Sequence, residues 1–152
     1  MKTLRFLMLT AVAILSLVSC DFAPVLVTVQ VTDEAGHDRL NPSSEFFIGE
    51  NISAVYEGKV YPVEILVPET KTYAAYFFGL RLRQMGWKDD QYLLEFGEFD
   101  GADDQNISVT FVWPDGTSDT VHAKHTRFTP LACVNTWRLN GKKVDPPIIL
   151  VK

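Results

Sequence analysis

The chain has 152 residues, 47% of them hydrophobic, with 14 Lys and Arg against 19 Asp and Glu and a formal net charge of −5. That length fits a single domain with a real core, and the acid excess argues against nucleic acid as a partner. Only two cysteines, Cys20 and Cys133, are present.

The first element is a leader. Lys2 and Arg5 precede an apolar run from Phe6 to Leu15, and small residues follow. A charged start, an apolar middle and a small-residue exit make a secretory signal peptide over residues 1–19. The run is too short for a membrane span, which needs about 20 apolar residues. Leu17-Val18-Ser19-Cys20 resembles the lipobox of bacterial lipoproteins, with Leu17 three positions before the cysteine and Ser19 just before it. The resemblance implies that Cys20 takes a diacylglycerol and becomes the first mature residue. Residues 20–24 then form the lipidated cysteine and a short spacer, and 25–152 a single domain. Loss of Lys2 and Arg5 leaves 12 basic against 19 acidic residues, a net of −7. That acidity argues against electrostatic attachment to anionic lipid, so the lipid itself has to anchor the protein. Acylation of Cys20 leaves Cys133 unable to form a disulfide within the chain, and its apolar segment predicts a small buried residue.

Along the domain, Val25, Val27, Val29 and Val31 alternate with Leu26, Thr28, Gln30 and Thr32, the pattern of a strand with one buried face. Asp33 to Gly36 turns the chain into a loop that runs to Ser44. Phe46 to Ile48 and Ile52 to Tyr56 are predicted strands. Glu57-Gly58 predicts a tight hairpin into Lys59-Val60-Tyr61, and Pro62 puts the next strand at an edge or a bulge. Tyr73 to Arg83 fits a strand with Tyr76, Phe78, Leu80 and Leu82 on one face and Arg81 and Arg83 opposite. A helix pairing Tyr73, Tyr76, Phe77 and Leu80 is the alternative; aromatic richness and Gly79 favour strand. Tyr92 to Gly97 is a strand before the acidic loop 98–105. Ile107, Val109, Phe111 and Trp113 share one face of a hairpin that turns at Pro114-Asp115-Gly116 and returns through Val121 and Ala123. Asn140-Gly141 marks another hairpin, and Ile148 to Val151 a last strand. Together these predict an all-β, antiparallel β-sandwich of immunoglobulin-like or transthyretin-like kind with roughly eight to ten strands.

Candidate chemistry is sparse. The sequence has no Gly-x-Ser-x-Gly elbow, His-Glu-x-x-His pair, Cys-x-x-Cys pair or phosphate-binding glycine loop. No catalytic residue and no cofactor is predicted. His122 and His125 are oddly spaced on one strand, so they point to opposite faces and do not share a metal. With His37 they read as solvated histidines. Asp100, Asp103 and Asp104, with Glu98 nearby, are candidate calcium ligands, although their spacing is not that of an EF-hand loop. Trp87, in a turn after Gly86, is the candidate ligand-binding aromatic; Trp113 and Trp137 read as core or rim. Asp119-Thr120-Val121 resembles the O-glycan acceptor site of Bacteroidota lipoproteins, with Thr120 facing solvent.

The whole layout resembles the small β-sandwich lipoproteins of the Bacteroidota. The resemblance rests on the lipobox, the aromatic-rich strands and the Trp113-to-Thr117 hairpin. It implies an envelope location and no particular reaction. A single acid after Cys20, Asp21, favours a periplasm-facing position over surface export. The expected function is a lipid-anchored, non-enzymatic binding or structural module for a protein or glycan partner. The competing expectation is an envelope hydrolase or transferase with a scattered site near His122, His125 and the acidic loop 98–105.

Overall fold

In β1, Val25–Thr32, the four valines are buried and the residues between them half-buried, so the alternation gives the strand one face for the core. The computed structural model describes residues 25–65, 79–85, 91–99, 103–129 and 132–152. Within them the protein is all-β apart from one 3-10 turn, Gly49–Asn51. The other strands are β2 (Ser53–Tyr56), β3 (Lys59–Ile65), β4 (Leu80–Gln84), β5 (Tyr92–Phe99), β6 (Gln105–Val112), β7 (Ser118–Thr129), β8 (Ala132–Leu139), β9 (Lys142–Val144) and β10 (Ile148–Val151). The leader, Cys20 and its spacer, and residues Tyr73 to Phe78 of the predicted strand lie outside the described residues. The rest of that predicted strand is β4, with Leu80 and Leu82 buried.

The strands form one mixed sheet in the order β10-β1-β5-β4-β3-β2-β6-β7-β8-β9, nearly closed into a barrel. This departs from the expected fully antiparallel sandwich, because β1 pairs with β10 and β3 with β4 in parallel. The β3–β4 connection runs 14 residues from Ile65 to Leu80, enough for the crossover that a parallel pair requires. Between β9 and β10 lies Asp145-Pro146-Pro147. Neither proline has an N–H to donate, and the two edge strands flank this link as the seam of the barrel.

Pro62 sits where β3 changes partner. Lys59 to Pro62 pair with β2, and Val63 to Ile65 pair with β4. β3 lies inside the sheet rather than at its edge, and Pro62, which has no N–H to donate, sits at the changeover between the two partners. Glu57-Gly58 and Asn140-Gly141 turn as expected, all four residues having positive φ. Phe46 to Ile48 is not a strand. Arg39 Nε donates to the Phe46 carbonyl at 2.9 Å, and the Ile48 N–H donates to the Arg39 carbonyl, so both ends fold back onto the preceding loop.

Taking β1 as rising, β3, β4, β6, β8 and β10 also rise, while β2, β5, β7 and β9 descend. Val25, Phe99, Gln105, Thr129 and Ala132 therefore share the lower end. The 33–52 loop, the Pro114-Asp115-Gly116 turn, Asn140-Gly141 and Lys152 share the upper end. Between them the core joins Val27, Val29, Leu94, Phe96, Val109 and Phe111, all fully buried.

Candidate functional site

The densest polar cluster stands at the upper end, where the β6–β7 hairpin meets the strand ends. Asp115 shapes the hairpin turn: its Oδ1 accepts from the Thr117 N–H at 2.8 Å and from Thr117 Oγ1 at 2.6 Å. This fixes Trp113 before the turn and Asp119 after it. Asp119 occupies the inward parity of β7 with Val121 and Ala123, so its carboxylate is buried. It cannot remain there unpaired. Trp113 Nε1 donates to Oδ2 at 2.7 Å, Asn140 Nδ2 donates to Oδ1 at 2.6 Å, and Lys152 Nζ lies 2.7 Å from Oδ2.

Lys152 completes the cluster from the other side of the barrel. Its N–H donates to the Thr32 carbonyl, extending the ladder past β10, and its carbonyl accepts from Arg39 Nη1 at 2.8 Å. Its ammonium also sits 5.2 Å from the Trp113 ring centroid. Burial pushes the Asp119 carboxyl up, but the hydrogen bonds of Lys152, Asn140 and Trp113 and the Lys152 charge outweigh it. The carboxyl is held below its ordinary range.

Two adjoining depressions open above this cluster. One, of about 320 Å³, is lined by Arg39, Ile48, Trp113, Pro114, Asp115 and Lys152. The other, of about 400 Å³, is lined by Phe47, Ile48, Glu50, Asn51 and Pro114. Ile48 and Pro114 border both, so together they make one shallow groove with an apolar middle and charged ends.

The residues singled out by sequence do not converge on this groove. Cys20, Trp87 and Asp100 lie outside the described residues. Asp103 and Asp104 are exposed, and Asp104 Oδ1 accepts the Arg127 N–H at 2.7 Å. Among the described residues no group of three or more His, Cys, Asp or Glu could hold a metal ion. Thr120 lies on the outer face but is half-buried, with its Oγ1 2.9 Å from Thr110 Oγ1 across the strands. Trp113 and Trp137 are both in the core.

His122 and His125 do point to opposite faces, His122 being exposed and His125 only 2% exposed. His125 is thus not solvated: inward parity places it in the interior, with Nδ1 bonded to Asn135 Oδ1 at 2.6 Å. His37 is exposed, bonded to Asp33 at 2.8 Å and stacked on Phe46. Cys133 is exposed rather than buried. The three residues of β9 pair only with Trp137 to Leu139, so Cys133, Val134 and Asn135 have no second neighbour strand and both their faces meet solvent.

The Asp119–Asn140–Lys152 cluster was missed. The one signal for it was a carboxylate at a core-facing position of a strand whose other inward residues are apolar. Comparison of the chain with protein-family models, with curated proteins and with solved structures found no match.

Proposed function

We propose that this protein is a lipid-anchored module of the bacterial cell envelope, held by acylated Cys20, that binds a protein or glycan partner through the groove at its upper end. The lipobox carries the location. The groove carries the binding: Ile48 and Pro114 offer apolar contact, and Arg39, Glu50, Asn51 and Asp115 offer polar groups around it. Such a lining suits an extended chain better than an enclosed small molecule. The Asp119 cluster beneath braces both walls, because it ties the hairpin to the Arg39 loop through Lys152. Val25 is at the opposite end, so the lipid leaves the groove unobstructed.

A photo-crosslinking residue at Ile48, in the lipidated protein on intact cells, should capture a protein partner, or the purified protein should bind on a glycan array. Pro114→Glu, at an exposed turn position that borders both depressions, should weaken either interaction at least tenfold while preserving the fold. Empty results in both assays would overturn the binding proposal. The competing envelope hydrolase or transferase has one observation in its favour: His125, Asn135 and Cys133 share a face near the acidic loop. Against it, His122 lies on the other face of β7, away from His125 and Cys133.

A further inference from the structure

The acid excess of the whole chain conceals a face of opposite sign. On the outward positions of β6 to β9 stand His122, Lys124, Arg138 and Lys143, with Asn106, Ser108 and Thr136 among them and no carboxylate. His122 is directly opposite Arg138, and Arg138 directly opposite Lys143. Adjacent strands are about 4.8 Å apart, so the Arg138 and Lys143 cations stand side by side, an arrangement that costs stability. Lys124, Arg138 and Lys143 are in none of the ion pairs seen among the described residues, and the acid nearest in register is exposed Asp104, just before β6. A row of this kind is relieved by an external anionic surface.

The lower part of the same face is apolar. Phe128 is 68% exposed and Val134 52% exposed. Both lie at the barrel end that carries Val25. Four residues separate Cys20 from Val25, a tether of at most about 18 Å. The tether leaves from the barrel end that also carries Phe128 and Val134, so the acyl anchor and the apolar patch adjoin the same end. Cations beside exposed apolar residues, next to an acyl anchor, match the chemistry of a bilayer surface.

Building on the lipid anchor proposed above, we infer that the outer face of β6 to β9 lies against anionic lipid and fixes the orientation of the domain on the membrane. Lys124, Arg138 and Lys143 supply the attraction, and Phe128 and Val134 dip into the interface. The groove opens at the end of the barrel and stays accessible.

The test uses the lipidated Cys133→Ser protein with a fluorophore on a cysteine introduced as Thr136→Cys, on the outer face directly opposite Lys124. It is placed in vesicles carrying a quencher lipid, made either of phosphatidylcholine or of equal parts phosphatidylcholine and phosphatidylglycerol. Quenching should be strong only with phosphatidylglycerol and should be relieved by salt. K124Q/R138Q/K143Q should shift the docking equilibrium about a hundredfold, to the level seen with phosphatidylcholine. Its thermal stability should be equal or higher, since the like-charge row is gone. Equal quenching in both vesicles, unaffected by salt or by the triple variant, would overturn the inference. So would displacement by a soluble polyuronate well below the effective salt concentration, which would assign the face to an acidic glycan. Protein that floats with neither vesicle would instead defeat the lipid anchor itself.

Discussion

Asp119→Ala should destabilise the fold by about 3 kcal/mol, lowering the melting temperature by about 10 °C. The carboxylate is buried and receives Trp113 Nε1, Asn140 Nδ2 and the Lys152 ammonium. Removing it leaves an indole N–H and an amide without their acceptor and strands a partly buried cation. Breaking a buried pair costs about 3–5 kcal/mol, and the lower value applies because Lys152 retains some contact with water. The effect carries a pH signature. The Asp119 carboxyl titrates lower in the folded protein than in the unfolded chain, where it titrates near 3.9. Its contribution is therefore complete above about pH 4 and disappears as pH falls through the folded value. Denaturation of wild type and Asp119→Asn across this range should show their stability gap closing toward acid. A gap that is constant with pH would mean that the ionised carboxylate is not what holds the cluster.

Gly97→Ala should cost a similar amount, about 2–4 kcal/mol, for a different reason. Between Val25 and Val27 the β1–β5 register slips by one residue, and Gly97 sits in that bulge with φ +86°. An L side chain there is strained, and its β-carbon would also overlap the Phe99 ring. That ring has little freedom to withdraw, because it packs edge-on against Tyr56 at 5.4 Å. Gly36 provides the comparison: its φ is +88°, but a β-carbon there meets nothing within 4 Å. Gly36→Ala should therefore cost only the backbone strain, about 1 kcal/mol. Urea denaturation of the two variants separates the contributions. Equal losses would show that the contact with Phe99 does not matter.

Local physics was legible in the sequence, and pairing between distant segments was not. Alternating valines fixed the parity of β1, and the same rule placed Ile107, Val109, Phe111 and Trp113 inward on one face. Gly58 and Asn140-Gly141 announced their turns through residues that tolerate positive φ. The parallel partners β10 and β4 left no such trace, since a strand reads the same whichever way its neighbour runs. The exposure of Cys133 is not legible in sequence, because it depends on a neighbour strand and β9 stops short of it. The burial of His125 follows from its inward parity on β7, the same rule that separates it from His122. Asp119 was read within a short glycan-acceptor pattern, although its inward parity marked it as a buried acid needing partners. The basic row on β7, β8 and β9 required the register, because its members are 16 and 5 residues apart in sequence and side by side only in the sheet.

The central claim, attachment through Cys20, is tested most directly by mass spectrometry of the N-terminal peptide from protein extracted out of the membranes of a producing bacterium. The prediction is a mature chain starting at Cys20, with diacylglycerol in thioether linkage and a further acyl group on the amine. One chain alone gives only marginal attachment, with an association constant on the order of 10⁴ M⁻¹. Cys20→Ala should abolish the modification and leave a misprocessed precursor. An unmodified mature N-terminus at any other residue would contradict the account.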